Sequence, residues 1–126
     1  MNNKVLVVND CRETRELVTE VLETRGYEVA TAADGYEAVL QFELDKPDLL
    51  VTELAMPGMH GYDLCRIVRA SSSMPIVIVT AQRGVEEKFK ALKAGADAFV
   101  PKPMDRGKLL VEIEALLTVN PGRAIG

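Results

Sequence analysis

The stretch Lys4-Val5-Leu6-Val7-Val8-Asn9-Asp10 decides the fold of this chain. Four consecutive apolar residues, three of them β-branched, stop abruptly at an amide and a carboxylate. Successive side chains of a strand point to opposite faces of its sheet, so a run that is apolar at every position must be covered on both faces. The same character recurs at Leu49-Leu50-Val51-Thr52 and at Ile76-Val77-Ile78-Val79-Thr80. Shorter runs at Glu28–Thr31 and Ala98–Val100 complete a set of five expected strands.

Between these runs lie five amphipathic segments. The first carries Leu17, Val18, Val21 and Leu22, and Gly26 supplies a left-handed stop after it. The second opens with Asp34-Gly35-Tyr36-Glu37, in which Asp34 can cap the helix and Glu37 can reach back to its start. Its apolar stripe is Ala38, Val39 and Phe42. Leu64, Ile67 and Val68 mark the third segment, and Val85, Phe89 and Leu92 the fourth, which ends at Gly95. Leu109, Ile113, Leu116 and Leu117 mark the fifth. Strand and helix alternating five times imply right-handed crossovers and an α/β doubly wound parallel sheet. Pro101 has no N–H to give to a ladder, which places strand five at an edge. The flavodoxin-like order 2-1-3-4-5 meets that demand with five strands. Its switch point lies between strands one and three, so ligands are expected near Asn9, Asp10 and Glu53.

The 126 residues suit one domain, read as 1–119, with 120–126 as a polar tail or linker. A formal net charge of −4 argues against nucleic-acid binding by this chain, which would need clustered positive charge. No apolar stretch approaches the roughly 20 residues of a membrane span, and the first strand starts almost at Met1, so a cytoplasmic location is expected. Cys11 and Cys65 are far apart and there is one histidine, His60, so no zinc ligand set can be assembled. Both thiols read as reduced, partly buried small hydrophobes. His60, alone in a loop, reads as solvated.

Polar groups arrive at four successive strand ends: Asn9-Asp10, Glu53, Thr80 and Lys102. In a parallel sheet these ends share one rim. Two carboxylates there suit Mg²⁺, which prefers oxygen ligands and keeps several waters. A hydroxyl and an ammonium suit the oxygens of a phosphoryl group. Any one of the four could be a helix cap or a solvated loop residue; four together point to a site.

The segments Val7-Val8-Asn9-Asp10, Pro47 to Gly58, Val79-Thr80-Ala81 and Gly95 to Pro103 together resemble the receiver domain of two-component response regulators. They span nearly the whole chain in the family's order. The resemblance implies a module in which an acidic pair binds Mg²⁺ and an aspartate after strand three accepts phosphate from a histidine kinase or phosphotransfer protein. It implies that Asp10 is the second acid of the pair and that Thr80 and Lys102 contact phosphoryl oxygens. It also implies that the backbone carbonyl of Ala55 is a metal ligand, that Phe99 is an aromatic switch with Thr80, and that the Lys102–Pro103 bond is cis.

Two positions depart from the pattern. Asn9 replaces the first acid, and Glu53 replaces the acceptor aspartate, giving an atypical or pseudo-receiver. The nucleophile must lie in line with the incoming phosphorus, and one added methylene moves the carboxylate by on the order of 1 Å, enough to cost about a hundredfold in rate. Any Mg²⁺ site at Asp10, Glu53 and Ala55 is then weak, and none is required. Besides that of an engineered substitution, Glu53 has two structural readings. It mimics the activated state by reaching Lys102, or it forms a static ion pair that leaves no switch. The function expected is a phosphorylation-independent signalling module, not an enzyme, that contacts signalling proteins or an effector domain. The contact face would be helix four, strand five and helix five, including Val85, Lys88, Phe99 and Lys108. The alternatives are a working Mg²⁺-dependent phosphoacceptor and, further off, a flavodoxin-like cofactor binder. The latter would need a phosphate-cradling loop after strand one, where Asn9-Asp10-Cys11-Arg12-Glu13 has no glycine.

Overall fold

The computed structural model describes residues 3–82 and 84–119. Five strands and five helices alternate: β1 (Lys4–Val8), α1 (Arg12–Thr24), β2 (Glu28–Ala32), α2 (Gly35–Asp45), β3 (Leu49–Thr52), α3 (Gly61–Ser71), β4 (Ile76–Thr80), α4 (Val85–Ala94), β5 (Ala98–Pro101) and α5 (Arg106–Val119). The strands form one parallel sheet in the order β2-β1-β3-β4-β5. Expected and observed strands agree to the residue in β1, β3 and β4; β2 and β5 each run one residue further. The expected tail at 120–126 lies outside the described residues.

The all-apolar runs divide residue by residue between two cores. Leu6, Val8, Leu50, Ile76 and Ile78 point to one face, covered by Ala38 of α2, Leu64, Cys65 and Val68 of α3, and Ala91 and Ala94 of α4. Val5, Val7, Leu49, Val51, Val77 and Val79 point to the other, covered by Val18 and Leu22 of α1 and by Leu109 and Ile113 of α5. Each strand thus contributes to both cores, which is why its sequence shows no alternation.

The helix ends follow local chemistry. Asp34 accepts a 2.8 Å bond from the Glu37 N–H, and Glu37 reaches back to the N–H of Ala33, one residue before the cap. Gly26 stands just past α1 at φ 88°, a conformation only glycine adopts without strain.

Three expectations about packing are corrected. Val85, Phe89 and Leu92 of α4 are exposed, because the helix lays Ala91 and Ala94 against the sheet instead. Ile67 of α3 is likewise exposed, and Cys65 takes the inward position. Cys11 is exposed, since it falls at the N-cap of α1 and not within a packed element.

Candidate functional site

The rim at the carboxyl ends of the strands is knitted together by backbone hydrogen bonds. The Glu53 N–H donates to the Val8 carbonyl at 3.1 Å, and the Lys102 N–H to the Thr80 carbonyl at 2.8 Å. These bonds continue the ladders β1–β3 and β4–β5 one residue past their last pairs, Val8↔Thr52 and Thr80↔Pro101. The sheet register therefore sets Asn9 and Asp10 beside Glu53, and Lys102 beside Thr80.

Glu53 is buried, and both of its carboxylate oxygens are hydrogen-bonded. The Lys102 ammonium donates to Oε1 at 2.6 Å, and the N–H of Leu54 donates to Oε2 at 2.7 Å. Burial by itself would disfavour the charged form. The bonds from Lys102, from the Thr80 hydroxyl and from the Leu54 N–H, with the lysine's charge, outweigh it and hold the carboxyl below its ordinary range. Thr80 Oγ1 in turn accepts from the Gln82 N–H at 3.2 Å. Gly61 of α3 lies directly behind Glu53, its N–H bonded to the Leu54 carbonyl at 2.8 Å. A methyl group placed there would overlap the Glu53 carbonyl oxygen and come within 2.8 Å of Leu54 Cα.

The first expected pair is arranged differently from an acidic pair. Asn9 is buried, and its side-chain oxygen accepts from the Cys11 N–H at 2.8 Å, forming a local turn into α1. The Arg15 guanidinium donates to the Asn9 carbonyl at 2.8 Å. Asp10 is exposed at the same rim. Of the two strand-end carboxylates, Glu53 is bonded to Lys102 and Leu54 whereas Asp10 makes no bond among the described residues, and the Arg15 guanidinium is held beside it on the Asn9 carbonyl. Among the described residues no three His, Cys, Asp or Glu side chains gather as a metal site. The residues present fit Mg²⁺ poorly, even with the Ala55 carbonyl counted, because the Glu53 carboxylate is already bonded to Lys102 and the Leu54 N–H.

The remaining expected residues fall as follows. Phe99 on β5 is half-buried against the α2–α3–α4 core. The Lys102–Pro103 bond is cis. Val85, Lys88, Phe99 and Lys108 line one shallow concavity with Gly84 and Pro101. His60 caps α3: its Nδ1 accepts from the Tyr62 N–H at 3.1 Å, a structural role in place of simple solvation. Sequence reading missed Arg15, the Leu54 N–H and Gly61. A basic residue in the first turn of the helix that follows Asn9-Asp10 was the signal for Arg15, and the glycine itself that for Gly61; the Leu54 N–H acts through backbone and leaves none.

A doubly wound parallel sheet with Thr and Lys placed around one buried carboxylate defines a class of signalling domain. The family model described as response regulator receiver domain matches residues 5–114, and the chain belongs to that family. It is 41% identical over 120 residues to the probable transcriptional regulator ycf27 of Cyanophora paradoxa, covering 94% of this chain and 50% of that protein. It is 36% identical to the DNA-binding response regulator MtrA of Mycolicibacterium paratuberculosis, covering 95% of this chain and 53% of that one. The chain thus spans about half the length of these relatives. Among solved structures it resembles the chemotaxis protein CheY4 of Vibrio cholerae (TM-score 0.88, 32% identity, 93% of this chain and 100% of that one). It also resembles a response regulator of Chloroflexus aurantiacus (TM-score 0.89, 33% identity, 94% and 99%). No helix among the described residues is long and apolar enough to cross a membrane.

Proposed function

We propose that this receiver signals without phosphoryl transfer, its Glu53–Lys102 pair standing in for the phosphoryl–lysine contact of the family. One observation carries the reading: Lys102 donates to Glu53 Oε1 at 2.6 Å while Leu54 occupies Oε2. A nucleophile must present an oxygen in line with the phosphorus, and here both oxygens are already hydrogen-bonded, one of them to the lysine that would otherwise hold the incoming phosphoryl group. Two further observations favour mimicry over an inert pair. The Thr80 hydroxyl helps to hold the carboxylate in its charged form, and Phe99 is half-buried against the α2–α3–α4 core. A carboxylate has one charge and two oxygens where a phosphoryl group has about −1.5 to −2 and three, so the bias it exerts is partial. The output is a protein–protein contact through α4, β5 and α5, made with an effector domain or with another signalling protein. Catalysis and metal binding have no part in this reading.

The test is intact mass after incubation with a small-molecule phosphodonor and Mg²⁺. The wild type is expected to gain no phosphoryl group, and Glu53→Asp to gain one. Stoichiometric phosphorylation of the wild type would replace this reading with that of a working phosphoacceptor.

A further inference from the structure

The first half of α4 has little beneath it. The buried residues of the helix, Ala91 and Ala94, both lie in its second half, whereas Val85, Glu86, Lys88, Phe89 and Lys90 are exposed. Between this first half and the start of α3 runs an open cleft of about 370 Å³, whose walls include Asp63, Arg66, Gln82 and Lys90. Polar walls admit water, so apolar packing does not hold the helix down there. Gly84, just before α4, stands at φ 110° with nothing within 4 Å of an added Cβ, which gives that end of the helix a free joint.

One side chain spans the cleft. The Tyr62 hydroxyl, from the first turn of α3, donates to Glu87 Oε2 at 2.9 Å and lies 3.2 Å from the Glu87 carbonyl oxygen. Among the described residues no other side-chain hydrogen bond or ion pair joins α4 to another element. The tyrosine is aimed: its ring packs on the α2–α3–α4 core and lies 4.8 Å from the His60 ring, and its N–H is held by His60 Nδ1. Its base adjoins the Glu53 pocket, since Gly61, the residue before it, bonds the Leu54 carbonyl. Burial and the Glu87 carboxylate push the hydroxyl pKa up to about 12, so the donated proton stays in place at neutral pH.

The other end of the bond has a second partner. Glu87 Oε1 lies 3.8 Å from the Lys90 ammonium, one turn along the same helix. Opening the tyrosine bond therefore strands no charge: Glu87 keeps Lys90, and the hydroxyl meets water in the cleft. Both arrangements satisfy every polar group involved, as an element with two states requires.

We propose that the Tyr62–Glu87 bond is a strap that holds the first half of α4 against α3, and that its opening frees this half to swing at the Gly84 joint. The inference rests on the reading of α4 as part of the output face, and it gives that face a regulated edge: Val85 and Phe89 move with the strap.

Native-state hydrogen exchange read by mass spectrometry tests it without a partner and apart from the phosphodonor experiment. Tyr62→Phe keeps the ring and removes the hydroxyl. Peptides from the first half of α4 are expected to exchange about tenfold faster than in the wild type, the scale of one partly exposed hydrogen bond to a charged group, with β1, β3 and the rest of α3 unchanged. Glu87→Gln retains an acceptor oxygen and is expected to fall between the two. In a Glu87→Leu background, Tyr62→Phe is expected to add less than it does alone. Wild-type exchange in α4 of Tyr62→Phe overturns the proposal. Acceleration spread over the whole domain does so too, because Tyr62 then acts through packing. An equal factor in both backgrounds overturns it as well, because the hydroxyl then does not act on the carboxylate. Phosphorylation of the wild type would remove the phosphorylation-independent reading and leave these exchange results standing.

Discussion

Lys102 and Glu53, 49 residues apart in the chain, meet in a 2.6 Å hydrogen-bonded ion pair at the rim of the sheet. The glutamate side chain is 8% exposed and the lysine 28%, so the pair is partly screened at one end and dry at the other. The carboxylate depends on this partner more than the lysine does, because the lysine retains access to water.

Removing the lysine should therefore be costly. Lys102→Met leaves a buried carboxylate with only its hydrogen bonds, and a loss of about 1–3 kcal/mol is expected. Urea unfolding at neutral pH measures it. A change within the error of the wild type would mean that the pair contributes nothing to the fold.

Acid should act on the same group. The folded carboxyl titrates below the value of 4.5 for a free glutamate. A group with a depressed folded pKa adds stability above its unfolded pKa and loses it as pH falls through the folded value. The Glu53 contribution should thus be fully present at pH 6 and decline below about 4.5. The urea midpoint followed from pH 7 to pH 3 should fall less steeply in Glu53→Gln, which has no charge to lose.

Gly61→Ala should damage both the fold and the pocket. The added methyl would press on the Glu53 carbonyl oxygen and the Leu54 backbone, neither of which is the mobile end of a side chain. A loss of about 1–3 kcal/mol is expected from such overpacking, with the Glu53 carboxylate displaced from Lys102. Gly26→Ala is the control. Nothing lies within 4 Å of its added Cβ, so its cost comes from the positive φ alone, at about 1 kcal/mol. Unfolding of the two variants side by side separates crowding from backbone strain.

The two thiols should differ in reactivity by orders of magnitude. Cys11 is exposed, and a hydrogen bond with the Thr14 side chain draws its pKa down. Burial in the α3 core pushes the Cys65 thiol up to about 12. A chromogenic disulfide reagent at pH 7.5 should consume one thiol in the native protein and two in denaturant. Rapid reaction of both in the native state would contradict the packing of α3.

The sequence by itself determined the sheet. A strand covered on both faces must be apolar throughout, and the strand ends could be read wherever that run met Asn9, Glu53, Thr80 or Lys102. The meeting of those residues on one rim followed from parallel pairing, and the reach of Glu53 toward Lys102 followed from side-chain length. Only the tertiary structure decided which side of a helix is buried. Periodicity shows which residues share a side, but α4 carries both an apolar stripe and two alanines three residues apart, and close packing on the sheet selected the alanines, Ala91 and Ala94. The rest of the pocket was decided in the same way. The capture of Glu53 Oε2 by the Leu54 N–H and the Asn9 carbonyl that receives Arg15 depend on backbone atoms, which are identical in every residue and so leave no mark in the sequence.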